Sequence, residues 1–276
     1  MTEKASYAEL KKAHDRLLAE NEQLKQVKLF QEMGTGPDIS TIHEGYSLNP
    51  AQNAREATIM GLAKLAEYRD KDAGSHLERI REFSKMLAQE ISVHKKFKDF
   101  VTDKYIEDIY QSSILHDIGK VGIPNSVLLK PGKLTMEEFE IIKEHSRIGG
   151  DALREIEVKI EGDSFLTQAK EISYFHHERW NGKGYPRGLS KDQIPLSARI
   201  VALADVYDAL TSKRVYKEEF THEQSVKIIV SERGRQFDPD VVNAFMARNK
   251  DFVRIRKEMD DRDDELNQTL SEVPLT

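Results

Sequence analysis

The placement of the histidines constrains this chain most. There are nine. Five of them, His76, His116, His145, His176 and His177, fall at the ends or on the apolar faces of segments that read as helices. In those segments apolar residues recur three and four positions apart. Asn49-Pro50 reads as a cap and first-turn proline, followed by Ile59, Leu62, Ala63 and Ala66. A second helix starts near His76 and carries Ile80, Phe83, Leu87 and Ile91. The spacing predicts a helix over 105–115, and a capping box, Thr135 to Glu138, opens another with Ile141, Ile142 and Ile148. Further helices are predicted over 168–177, over 195–211 and, in two pieces around Gly234 and Asp238-Pro239, over 223–249. No alternating strand pattern and no internal repeat is visible. The fold class is all-α, with inward-facing imidazoles.

Three parts are expected: an N-terminal helix and linker over 1–48, a main domain over 49–250, and a charged tail over 251–276. In the first part Leu10, Leu17 and Leu24 recur every seven residues, with Tyr7, His14 and Asn21 at the other seam position. This fits a short parallel coiled coil or a solvated or docked helix. A homodimer through this helix, and signalling proteins as further partners, are expectations of the first alternative.

Composition narrows the chemistry. The chain has no cysteine, which excludes disulfides, thiolate metal sites and a cysteine nucleophile. Lys plus Arg is 42 against Asp plus Glu 48, a net charge of −6. That gives no general attraction to DNA or RNA. No apolar run is long enough to span a membrane, and the first 15 residues are charged from the start, unlike a secretory leader. The expected compartment is the cytoplasm.

The acids near the five histidines complete the pattern. Asp72 precedes His76 by four residues, Asp117 follows His116, and Asp205 lies among Val201, Ala202 and Ala209. A buried carboxylate needs a cation or a metal. Imidazole and carboxylate without thiolate suit iron, manganese, nickel or zinc, and helical bundles hold such sites between facing helices. The donors outnumber what one ion needs, so two divalent ions are expected, and paired ions promote in-line displacement at phosphorus. His14, His43, His94 and His222 lie outside the cluster.

Two strings then carry a resemblance. HDIGK at His116–Lys120 and HHERWNGKGYP at His176–Pro186 resemble the HD-GYP family of HD-domain metal-dependent phosphohydrolases, which hydrolyse cyclic di-GMP. The resemblance implies a helical bundle of the HD type. It makes His76, His116, Asp117, His145, His176, His177 and Asp205 metal ligands, with Asp117 bridging two ions, iron or manganese first and zinc or nickel next. Where the family often has Glu four residues before the first histidine, this chain has Asp72. A third ion there stays open, and two ions are the default. By the same resemblance Asp117 and Lys120 are catalytic, while Lys120, Tyr185, Arg214, Lys217 and Asp208 face the substrate; Asp208 could instead orient a ligand. Glu178 reads as support for the ligands, and Trp180 as packing. The implied reaction is hydrolysis of cyclic di-GMP to linear pGpG, and on to GMP if a third ion binds. The alternatives are a non-catalytic adaptor that binds the nucleotide or a partner protein, and a phosphohydrolase of another cyclic dinucleotide.

Overall fold

A computed structural model describes residues 50–67, 75–160, 162, 164–212 and 219–272, with side chains described between 53 and 262. The expected N-terminal helix and linker, Asp72, Arg214, Lys217 and the last four residues lie outside the described residues. Among the described residues the chain is helical, with two isolated β-bridges, Asn181 to Ser190 and Arg233 to Phe237, and no strand. The helices are α1 (Pro50–Glu67), α2 (His76–Ser92), α3 (Asp103–Ser112), α4 (Asn125–Leu128), α5 (Met136–Glu157), α6 (Leu166–Phe175), α7 (Leu196–Thr211), α8 (His222–Ser231) and α9 (Pro239–Glu272).

Local signals set the helix ends. Thr135 and Glu138 bond reciprocally to each other's backbone N–H, so the capping box forms as expected. Thr221 and Gln224 repeat the device at α8. At the start of α9, Asp238 accepts from the Asp240 N–H at 2.8 Å and pairs with the largely buried Arg199 at 2.5 Å. Gly234, with φ of 72°, supplies the left-handed residue between α8 and α9. The helix expected over 105–115 ends earlier. It closes at Ser112 and tightens into a 3₁₀ turn over Ser113–Leu115, as helix ends commonly do. A second 3₁₀ turn, Ile118–Gly122, follows His116 and Asp117.

The main core lies where α2, α7 and α9 meet. Phe83 stacks on Phe252 with centroids 4.3 Å apart, and Tyr207 and Phe245 meet Phe252 edge-on, each at 4.9 Å. Such pairs add about 0.5–1.5 kcal/mol each beyond burial. The charged tail expected over 251–276 starts inside a helix. α9 runs without a break through 251, and Phe252, Ile255 and Met259 are buried in the main core. Their spacing of three and four keeps them on one face, so the helix continues because that face has somewhere to pack.

Glycines let α5 approach its neighbours closely. A Cβ on Gly150 would enter the Tyr174 ring of α6, and one on Gly149 would strike the Ser173 hydroxyl. This packing turns His145 inward, although Ile141, one turn earlier, is exposed.

Candidate metal centre

Five elements deliver the predicted ligands to one place, α7 among them with Asp205. The link between the two 3₁₀ turns presents His116 and Asp117, α5 presents His145, the end of α6 presents His176 and His177, and the start of α2 presents His76. Asp117 Oδ1 is 3.1 Å from His145 Nε2 and 3.6 Å from His176 Nε2. Its other oxygen is 3.4 Å from His116 Nε2 and 2.8 Å from Lys120 Nζ. The ring centroids of His176 and His177 are 4.0 Å apart, and that of His145 is 5.0 Å from His177. His76 joins from the far side, its centroid 5.6 Å from that of His116.

Hydrogen bonds fix the tautomers. His116 Nδ1 lies 2.9 Å from the Ser113 carbonyl, His145 Nδ1 2.6 Å from that of Ile142, and His176 Nδ1 2.9 Å from that of Ile172. His76 Nδ1 lies 2.6 Å from Asp208 Oδ2. A carbonyl or carboxylate oxygen only accepts, so each Nδ1 is the donor. In the neutral ring Nε2 then carries the lone pair, and these Nε2 atoms turn toward the centre. Nε2 of His116 and of His176 are buried without a hydrogen-bond partner. Buried polar atoms are rarely left so without a reason.

The donors form two neighbouring groups. Asp117, His145, His176 and His177 make one, and Glu67, His76 and His116 the other; within each, the ligand atoms lie within 4.8 Å of one another. Asp205 Oδ1 and Glu67 Oε1 are each 4.0 Å from His76 Nε2. Two donors on opposite sides of one divalent ion stand about this far apart, since each bond is about 2.0–2.2 Å. The residues therefore fit divalent cations. A ligand histidine that gives its outer N–H to a carbonyl or carboxylate is the usual supporting arrangement.

Electrostatics divide the imidazoles: some are held neutral in the metal-free protein, whereas His116 must give up a proton to coordinate. Burial and the neighbouring histidines hold His177 well below its ordinary value, and burial also lowers His176 despite Asp117. Both stay neutral and able to coordinate. Burial disfavours charge on His116, yet Asp117 outweighs it and lifts His116 to about 9. Burial works against ionised Asp117, but Lys120 and His116 hold it well below the carboxylate range. Glu67 is raised, chiefly by burial.

The structure thus brings together His76, His116, Asp117, His145, His176, His177 and Asp205. Lys120 stands beside Asp117. The Tyr185 ring lies 4.7 Å from His177, and burial raises its phenol, which stays protonated. Tyr185-Pro186 is a cis peptide. Glu178 is buried and accepts from the Arg187 N–H at 2.7 Å, so it shapes the loop that carries Tyr185. Trp180 packs under the Arg199 guanidinium, 5.6 Å from its ring. Asp208, expected to face substrate or to orient a ligand, is buried and spends both oxygens on His76 and Arg79.

Sequence reasoning missed Glu67, which is 4% exposed. It lies nine residues before His76, so no local spacing ties the two. A faint signal existed: Glu67 follows the buried Ala63 by four residues and shares its face. Gly119, inside the HDIGK string, has a steric role. A Cβ there would lie 2.5 Å from Gly149 N and closer still to the His145 carbonyl oxygen. Only glycine lets the turn carrying Asp117 come this close to α5.

Comparison with known proteins agrees with the geometry. The sequence matches the HD domain family over residues 61–241. The chain belongs to the HD-domain family. Its HHERWNGKGYP string places it in the HD-GYP branch. A Vibrio cholerae cyclic di-GMP phosphodiesterase is 51% identical over 75% of this chain and 42% of its own length. A Vibrio cholerae 3'3'-cGAMP-specific phosphodiesterase 2 is 36% identical over 74% of this chain and 36% of its own length. The chain thus spans less than half of these relatives. The crystal structure of a Vibrio cholerae cyclic GMP-AMP-specific phosphodiesterase (V-cGAP3) shares the fold, with a TM-score of 0.50 at 16% identity, over 79% of this chain and 53% of that one.

Proposed function

We propose that this chain is a divalent-metal-dependent phosphodiesterase that hydrolyses cyclic di-GMP to linear pGpG. The observation that carries the reading is the ring of imidazoles whose Nδ1 atoms are committed outward while their Nε2 atoms converge on Asp117. Two divalent ions, iron or manganese first, supply Lewis acidity toward phosphoryl oxygens and lower the pKa of water. Asp117, kept ionised, would be the shared ligand, since Oδ1 faces His145 and His176 and Oδ2 faces His116. Lys120, 2.8 Å from Asp117, is placed to donate a proton toward the leaving 3′ oxygen. The protonated Tyr185 hydroxyl offers a hydrogen bond beside His177, and its ring a face for guanine. Arg214 and Lys217, by the family resemblance, grip phosphate. With two ions the product stops at pGpG, and Asp72 is the residue on which a third ion would depend. No described helix is long and apolar enough to cross a membrane, and the reading places the chain in the cytoplasm. A dimer through the N-terminal helix belongs to the same reading.

A second substrate has an observation in its favour: a relative at 36% identity is named for 3'3'-cGAMP. One experiment tests both. Anaerobically purified protein, loaded with iron or manganese, is given each dinucleotide and the products are identified. Conversion of cyclic di-GMP to pGpG supports the reading. Cleavage of 3'3'-cGAMP alone overturns the substrate assignment, and no cleavage at full metal occupancy favours the adaptor.

A further inference from the structure

Arg79 is a buried cation that the chemistry above leaves unused. It lies one turn after His76 on α2 and is 7% exposed. Its Nε donates to Asp208 Oδ1 at 2.5 Å and its Nη2 to Oδ2 at 3.1 Å. The same Oδ2 faces His76 Nδ1 at 2.6 Å. We propose that Arg79 is a positioning residue for the metal centre: it clamps Asp208, and Asp208 in turn fixes the tautomer and direction of His76. The proposal rests on the metal-centre part of the reading above.

The argument is geometric. A carboxylate with one imidazole partner is free to rotate. A guanidinium fork holds both oxygens at once. Asp208 then stays an acceptor, so His76 must donate through Nδ1 and present Nε2 to Glu67 and Asp205, each 4.0 Å away. Lysine at 79 would keep the charge but lose the fork. The outer Nη1 of Arg79 reaches Asp260 of α9 at 3.3 Å, but that carboxylate is half exposed, and such a contact contributes little.

The test reads metal binding in the full chain, by elemental analysis and chelator competition with manganese, beside the melting of the chelator-treated protein. Arg79→Lys and Asp208→Asn should each weaken one of the two ions by about 10- to 100-fold and leave the other in place. The double variant should be no weaker than Asp208→Asn alone, which a merely structural arginine would not produce. Asp260→Asn is the control and should stay within about twofold. Wild-type affinity for both ions in Arg79→Lys, or effects that multiply in the double variant, would overturn the proposal. Wild-type protein that takes up no ion would overturn the metal centre itself, a different result from wild-type uptake that Arg79→Lys leaves unchanged.

Discussion

Replacing Gly119 by alanine tests the whole site through one methyl group. The added Cβ would meet backbone alone: 2.5 Å from Gly149 N, 2.9 Å from His145 C, and deeper inside the shell of the His145 carbonyl oxygen. Contacts under 3.0 Å are not tolerated, and no flexible side chain is there to swing aside. The 3₁₀ turn must therefore back away from α5 by roughly an ångström. Overpacking of this kind costs about 1–3 kcal/mol, and more where backbone must move; the upper end applies here. The same shift carries Asp117 away from His145, now 3.1 Å from it. A misplacement of about 1 Å costs about a hundredfold in rate, and metal sites tolerate about 0.2 Å. Urea unfolding of the chelator-treated protein should show the midpoint falling by the equivalent of about 3 kcal/mol. Metal titration should show weaker uptake at the Asp117 group. An unchanged midpoint together with unchanged uptake would mean that the turn and α5 do not depend on this contact, and the steric reasoning would be wrong.

Other outcomes follow from the same geometry. His116→Ala with Asp117→Ala should abolish both metal uptake and hydrolysis; turnover retained in that double variant would sink the site assignment. Glu67→Gln should weaken the ion at the His76 side while the Asp117 side fills normally, as elemental analysis would show; full occupancy with native affinity would remove Glu67 from the centre. Arg214→Ala should raise the Michaelis constant with metals still bound, whereas loss of metal would make Arg214 structural. In chelator-treated protein His116 is raised from 6.5 to about 9. Its protonated form is favoured by folding, so this stabilisation is present below pH 6.5 and is lost as pH rises through about 9. His176 and His177, held below 6.5, act only on the acid side of that window. Thermal melts from pH 6.5 to 9 should show a larger fall in the wild type than in His116→Gln, which keeps the share due to His76, also raised, against burial, by Asp208.

Much of this was legible in the sequence, and the parts that were share one property: they are local. A helix is written in spacing of three and four, a cap in Thr135 and Glu138, a break in Gly234, and paired ligands in adjacent residues such as His116-Asp117 and His176-His177. That the five histidines face inward followed from their place on apolar faces and helix ends. The continuation of α9 past 251 was harder to see, because a face with Phe252, Ile255 and Met259 between many charges has meaning only when α2 is there to receive it.

What tertiary structure decided is whatever depends on approach between distant segments. The five histidines and Asp117 could be named from the chain, but no spacing says which imidazole nitrogen points inward. That is set by the carbonyls of Ser113, Ile142 and Ile172 and by the Asp208 carboxylate. Glu67 joined because α1 ends against His76, and Asp208 turned toward Arg79 because packing placed a guanidinium fork beside it. The need for glycine at 119 comes from α5, which lies where a side chain would be. Residue types and their local period fixed which donors exist. Three-dimensional packing fixed which lone pairs meet, because hydrogen bonds and close contacts between remote residues carry no sequence period.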